Sequence, residues 1–579
     1  MTALYETKTC TTLDRIFHAW LGRLSFSISP AAVMLAYLDW LVHLAQSPGK
    51  QIELMQKAIR KTLRCAMYSG HAAFDASTTP CIAPLPQDRR FDGAPWQHWP
   101  FNAYYQWFLH VQQWWHNATR EVHGVSRQHE EVVEFMARQV QDTFSPSNFL
   151  LTNPEILKAT FQQGGGNLVR GWFNWLEDLE RVIGGKQPVG TENFQVGRDV
   201  ALTQGKVIYR NALIELIQYA PSTREVYREP VLIIPAWIMK YYILDLSPHN
   251  SLVRYLIEQG HTVFMVSWKN PGLEDRDLGM EDYRRLGVMA ALDAVSAVVP
   301  EAKIHALGYC LGGTLLSIAA AAMARDGDSR LQSLTLLAAQ TDFTEVGELG
   351  LFINPSQVAY LEDIMWEQGY LDTSQMAGAF SLLRSNDLIW SAIVHDYLLG
   401  ERRPMIDLMA WNADATRLPY RMHTEYLERL YLNNDLAQRR YRIDGRSIGL
   451  GDLRAPIFAV GTLKDHVAPW RSVFKIHRLA RNTEMTFVLT SGGHNAGIVS
   501  PPGHPHRSFQ VATRKVRGGY TDPDTWLAET PKQEGSWWPA WEAWLAARSS
   551  DKGTPPRIGA KEKHDAPLCE APGSYVLMQ

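Results

Sequence analysis

The segment Ile304-His-Ala-Leu307-Gly308-Tyr309-Cys310-Leu311-Gly312 runs directly into Gly313-Thr-Leu-Leu-Ser-Ile-Ala-Ala-Ala-Ala-Met-Ala324. Lys303 to Tyr309 is short and apolar, the mark of a buried strand, and Gly312 to Ala324 is rich in helix formers. A nucleophilic side chain thus stands between two glycines, at the corner where a strand turns into a helix. The glycines permit a tight turn and close backbone packing. The helix that follows points its first amides back at the corner, which favours a thiolate and any negative charge developing beside it. The structural alternative for Cys310 is a buried thiol beside a tight turn.

On both sides of the corner the same alternation recurs. Val231 to Ile234, within Pro230-Val-Leu-Ile-Ile-Pro235, and Thr262 to Trp268 read as buried strands, with shorter ones at Lys206 to Tyr209 and Glu215 to Tyr219. Leu334 to Ala338 and Ile457 to Val460 continue the series, and Thr486 to Leu489 closes it. Ser251 to Gln259 and Met280 to Val298 read as intervening helices. Strands alternating with helices imply a mostly parallel sheet covered on both faces.

Two downstream residues complete a catalytic constellation. Asp465 follows the strand ending near Val460, in a loop that can hold a carboxylate against an imidazole. His494 lies on the glycine-rich loop Ser491-Gly-Gly-His-Asn495 after the last of these strands. The alternatives are a turn-capping aspartate and a structural histidine; His466, next to Asp465, competes as the base but sits on the wrong loop. The order nucleophile, acid, histidine is that of α/β-hydrolases. His494 would take the thiol proton, Asp465 would orient the ring, and backbone amides would hold the oxyanion. One donor would be the amide of Leu311, the other an amide near Trp237 or Ile238, after the Val231 to Ile234 strand. A thiolate attacking a thioester makes another thioester, so the acyl group stays activated, which favours acyl transfer over cleavage.

The fold class expected is therefore α/β, an α/β-hydrolase fold with an inserted cap, preceded by a mostly helical N-terminal domain. The expected divisions are a helical domain over 1–200, a catalytic domain over 201–548 with a cap or lid over 342–451, and a flexible tail over 549–579. Ser29 and Pro30 read as N-cap and first residue of an amphipathic helix through Ala45. The aromatic run Trp96 to Trp115 reads as helical core or subunit interface, with a surface meeting an apolar partner as the sharper alternative.

The chain has 579 residues and a net charge of −3, so composition gives no case for nucleic acid. Its N-terminus lacks the pattern of a secretory signal. No transmembrane segment is expected, since Ala31 to Ala45 is interrupted by Asp39 and His43 and falls short of the ~20 apolar residues a span needs. The 5 cysteines are widely spaced, with no metal-binding pattern, and fit free thiols in a reducing cytoplasm. No metal site and no cofactor is expected.

With these motifs in view, the sequence resembles the polyhydroxyalkanoate synthases, or poly(3-hydroxybutyrate) polymerases, of the single-subunit type. The resemblance spans nearly the whole chain. It includes Phe149-Leu-Leu-Thr-Asn-Pro-Glu155, Asn211-Ala-Leu-Ile-Glu-Leu-Ile-Gln-Tyr219, Lys240-Tyr-Tyr-Ile-Leu-Asp245 and Gly308–Gly313. It continues through Asn386-Asp-Leu-Ile-Trp390, Asp465-His-Val-Ala-Pro-Trp470, Gly493-His494, Gly535-Ser-Trp-Trp-Pro539 and Ala571-Pro-Gly-Ser-Tyr-Val576. It implies (R)-3-hydroxyacyl-CoA as substrate and chain growth on a cysteine thioester, with Cys310, Asp465 and His494 as the triad. It also implies cytoplasmic polyester granules, phasin partners, a homodimer, and a further role for Asp465 in activating the 3-hydroxyl. One departure stands out: Pro235-Ala236-Trp237 replaces the Pro-Pro-Cys often found before Lys-Tyr-Tyr, placing an indole near the expected oxyanion side. Two rival readings use the same residues, a cysteine-dependent ester or thioester hydrolase and a non-catalytic granule scaffold.

Overall fold

The computed structural model describes residues 2–25, 27–373, 375, 376, 378, 385–560 and 567–579. The chain divides into two compact units. One comprises Met1–Leu21, Gly190–Ser374 and Met405–Gln579, the other Gly22–Val189 and Gln375–Pro404.

The first unit is built on an eleven-stranded sheet. In chain order its strands are β1 (Gly205–Arg210), β2 (Ile214–Tyr219), β3 (Val231–Ile234), β4 (Val263–Trp268), β5 (Ile304–Tyr309) and β6 (Leu331–Leu337). There follow β7 (Ile457–Thr462), β8 (Met485–Thr490), β9 (Ser508–Arg514), β10 (Lys532–Glu534) and β11 (Cys569–Glu570). Their spatial order is β10-β9-β8-β7-β6-β5-β3-β4-β2-β1-β11. The six strands β3 to β8 are mutually parallel and form the middle of the sheet. Antiparallel strands extend both edges. The central strands are apolar on both faces because helices cover both, as a parallel sheet requires.

Several expectations need correction. Thr486 to Leu489 does not close the sheet; β9 and β10 follow it. β9 escaped a sequence reading because this half-buried strand next to the sheet's edge, Ser-Phe-Gln-Val-Ala-Thr-Arg514, has no continuous apolar run. The helix over Met280 to Val298 is interrupted by a π-helical stretch, Tyr283–Met289. There Gly287 packs so tightly on Trp268 that an added Cβ would lie 2.4 Å from the indole. The described part of the tail carries paired strands: Lys552–Gly553 pairs with Val226–Tyr227, and β11 pairs with β1. Its polar composition hid this, because main-chain hydrogen bonds to an open sheet edge require no apolar side chains. The expected cap is divided too: residues Gln375–Pro404 group with the N-terminal helices, and the rest with the sheet.

The second unit is helical, with α-helices at Pro30–Ala45, Pro48–Ala72, Phe101–Thr119, Arg127–Thr143, Pro154–Gln162 and Gly166–Ile183. Ser29 caps the first of these by accepting from the Ala32 amide at 3.3 Å, with Pro30 in the first turn. The aromatic run divides between inside and outside: Trp96, Tyr105 and Phe108 join a buried cluster with Phe91, while Trp99, Tyr104 and Trp107 are exposed.

Three buried histidines of the sheet unit give a pH prediction. Burial pushes His305 and His423 down to about 4 and His477 down to about 3. All three stay neutral in the fold, whereas in the unfolded chain they take up protons near pH ~6.5. Below that value the unfolded state binds more protons, so stability is lost as pH falls toward the folded values. The loss is about 1.4 kcal/mol per pH unit per histidine. The thermal midpoint should drop steadily from about pH 6.5 to about pH 5, and more shallowly in His305→Gln; a flat profile would contradict neutral buried rings.

Candidate active site

β5 ends at Tyr309 and the helix Leu311–Asp326 begins two residues later. Cys310 occupies the corner with φ +51° and ψ −120°, a strained conformation for a residue with a side chain. Its amide donates to the Leu337 carbonyl at 2.8 Å, which ties the corner to β6. The flanking glycines are required by contact. A Cβ on Gly308 would lie 2.4 Å from the Gly313 Cα, and one on Gly312 would lie 2.2 Å from the Ile234 carbonyl oxygen. The second contact seats the corner directly on the end of β3, beside the loop that carries Trp237 and Ile238.

Asp465 and His494 follow β7 and β8, two parallel strands whose last residues, Thr462 and Thr490, are paired. Loops after the carboxyl ends of parallel strands open on one edge of the sheet, which is how residues far apart in sequence meet. The His494 Nδ1 lies 2.8 Å from Asp465 Oδ2, and the Cys310 sulfur lies within electrostatic reach of the same ring. The histidine next to the acid in sequence, His466, is not the ring in this contact.

The Asp465 carboxylate is saturated. Its Oδ2 also accepts from the Thr462 hydroxyl at 2.8 Å, and its Oδ1 from the amides of Val467 at 2.9 Å and Ala468 at 2.8 Å. Burial pushes this carboxyl up, but the His494 charge and these donors outweigh it and hold it below the ordinary range. Burial likewise pushes His494 down, and the facing Asp465 and Cys310 overcome that and raise it well above the ordinary imidazole range.

Other side chains complete the site without having been legible as part of it. Tyr309 packs its ring 5.7 Å from that of His494 and donates to Asn495 Oδ1 at 2.6 Å. Tyr426 and Tyr431 lie within electrostatic reach of the Cys310 sulfur. Their hydroxyls are 3.5 Å apart, and Phe343 packs against both rings. Burial raises both phenols, Tyr431 to about 12, so both keep their protons, and Tyr426 donates to Tyr431. The spacing Thr462-x-x-Asp465 was the one available signal for the carboxylate's support. Nothing in the spacing of Tyr426 or Tyr431 pointed to Cys310.

Leu311 is the first residue of its helix, so its amide lies outside the helix's own ladder. The Trp237 indole turns into the core, 5.1 Å from the Tyr283 ring and 6.0 Å from that of Trp268. The Trp237 and Ile238 carbonyls accept from the hydroxyl and the amide of Thr416. Among the described residues no group of three or more His, Cys, Asp or Glu side chains could hold a metal ion.

Three family models match the chain: poly-beta-hydroxybutyrate polymerase N terminal over residues 8–50, poly-beta-hydroxybutyrate polymerase (PhaC) N-terminus over 87–256, and alpha/beta hydrolase fold over 229–501. A poly(3-hydroxyalkanoate) polymerase of Methylorubrum extorquens is 41% identical over 509 residues, covering 87% of this chain and 83% of its own. A poly(3-hydroxyalkanoate) polymerase subunit of Cupriavidus necator is 34% identical over 554 residues, covering 94% and 91% respectively. Similarity on this scale extends over the helical region and the sheet alike, so the chain belongs to the poly(3-hydroxyalkanoate) polymerase family, on an α/β-hydrolase fold.

Proposed function

We propose that the protein is a polyhydroxyalkanoate synthase that polymerises (R)-3-hydroxyacyl units from their CoA thioesters through a covalent intermediate on Cys310. The observation that carries this reading is the hydrogen-bonded His494–Asp465 pair placed within electrostatic reach of Cys310, itself on a strained strand-to-helix corner, in a member of this family.

His494 takes the thiol proton as sulfur attacks the thioester carbonyl. Charge develops on the carbonyl oxygen, facing the Leu311 amide and a donor from the Trp237–Ile238 segment. The carbon–sulfur bond to CoA breaks, and the leaving thiolate takes the proton from His494. The 3-hydroxyl of a second acyl-CoA then attacks the Cys310 thioester, with His494 as base. An ester bond forms, the Cys310 sulfur leaves, and a chain one unit longer returns to that sulfur by the first step. Asp465 stabilises the charged ring in both halves; its further part in activating the 3-hydroxyl rests on the family resemblance.

The reading extends to a cytoplasmic granule surface, with phasins and a second copy of the chain as partners. The exposed Trp172, Phe173, Val182 and Ile183 of the helix Gly166–Ile183 support contact with an apolar partner. No helix among the described residues is long and apolar enough to cross a membrane. The test is incubation with (R)-3-hydroxybutyryl-CoA. CoA release accompanied by insoluble polyester is expected; free acid alone would favour the hydrolase, and no CoA release the scaffold.

A further inference from the structure

Residues 567–579 return to the sheet and are held there by one buried carboxylate. Glu215, on β2, is fully buried and accepts from the Ser574 amide at 2.9 Å, the Ser574 hydroxyl at 2.7 Å and the Tyr575 amide at 2.9 Å. Arg210 Nε donates to the same carboxylate at 2.8 Å. The fit is close enough that a Cβ on Gly573 would lie 2.4 Å from Glu215 Oε2. The Tyr575 hydroxyl donates to the Asn211 carbonyl at 2.6 Å, and Val576 is buried.

Beyond this clamp the chain reaches the loop after β3. Lys240, buried and three residues past Trp237, donates its ammonium to the Met578 carbonyl. Asn270 Nδ2 approaches the same oxygen at 3.5 Å, while its Oδ1 accepts from the Arg417 amide at 2.9 Å. The loop is also held by Thr416, as described above, and by Trp411, whose indole donates to the Lys240 carbonyl at 2.7 Å. A charge-assisted hydrogen bond counts for more where water is excluded, and an unfilled buried ammonium is costly. The loop is therefore pinned by several contacts, and one of the pins is residue 578.

We propose that the Lys240–Met578 contact is a latch that fixes the segment 235–240, and with it the oxyanion donor beside Cys310. Lys240 and Met578 are then positioning residues for ester chemistry. The inference rests on the reading of this loop given under the proposed function. It predicts a selective defect, because the latch acts on the carbonyl oxygen and not on the Cys310–His494 pair.

The experiment compares two reactions at residue 310 in the full chain, in Lys240→Met, and in a chain ended after Leu577 that keeps the Glu215 clamp. Acylation by (R)-3-hydroxybutyryl-CoA passes through a tetrahedral oxyanion; alkylation by iodoacetamide displaces iodide and forms none. Both are followed by mass on the peptide bearing residue 310. Acylation should slow by about 10- to 100-fold in both variants, the scale of a misplaced catalytic group. Alkylation should stay within about twofold. Unimpaired acylation in either variant, or acylation and alkylation falling together, would overturn the latch. A full chain that alkylates but is never acylated would instead overturn the functional reading, and the latch with it.

Discussion

Cys310→Ser should keep the fold and lose CoA release by on the order of 10⁴-fold. The serine fits, since the side chain is nearly the same size and the strained corner is fixed by Gly308, Gly312 and the Leu337 carbonyl. Chemistry is what changes. A hydroxyl ionises far less readily than a thiol, so His494 would have to remove a much less acidic proton. The product of the first step also changes. A cysteine thioester keeps the acyl group near the energy it had on CoA, whereas a serine ester would lie lower and be slow to pass the group on to a 3-hydroxyl. The decisive measurement pairs turnover with intact mass: the variant should accumulate little adduct and no polymer. Near-normal turnover would reject the thioester route, whatever the geometry of the corner.

His494→Ala is expected to slow acylation of Cys310 by roughly 10²- to 10⁴-fold, the usual worth of a positioned general base. The ring has a single place to act. Asp465 holds its Nδ1, and the Cys310 sulfur is within electrostatic reach of the ring. Removing it also leaves a buried carboxylate without its cationic partner, so some loss of thermal stability should accompany the loss of rate. The initial burst of CoA, one equivalent per active site, separates the two effects, because a folded variant still titrates with iodoacetamide at residue 310. An undiminished burst would mean that another base serves Cys310, with His466 the first candidate by proximity in sequence to Asp465.

Much of the site was legible in the chain because it rests on local rules. A nucleophile between glycines after an apolar strand can adopt one kind of corner. The aspartate and histidine were legible from their place after successive strands, since parallel strands of one sheet deliver their following loops to a common edge. Strands at or next to the sheet's edges were harder to see. β9 and β11 lack the apolar continuity of central strands, and β11 lies in a segment whose composition reads as a solvated tail. Tyr426 and Tyr431 reach the site from an interval with no repeating pattern. Their approach to Cys310 depends on how the helix Tyr420–Tyr426 and the π-helical turn Leu427–Leu432 pack.

Residue order alone was enough for the corner, the succession of its partners and the parallel character of the sheet, because backbone sterics and apolar periodicity act within a few residues. It took the packed fold to fix which side chains surround the sulfur, where the Trp237 indole turns, and that Ser574 and Tyr575 close on a carboxylate 359 and 360 positions away. Such contacts are set by complementary shape and the need to satisfy buried polar groups, and neither condition leaves a signature in local spacing.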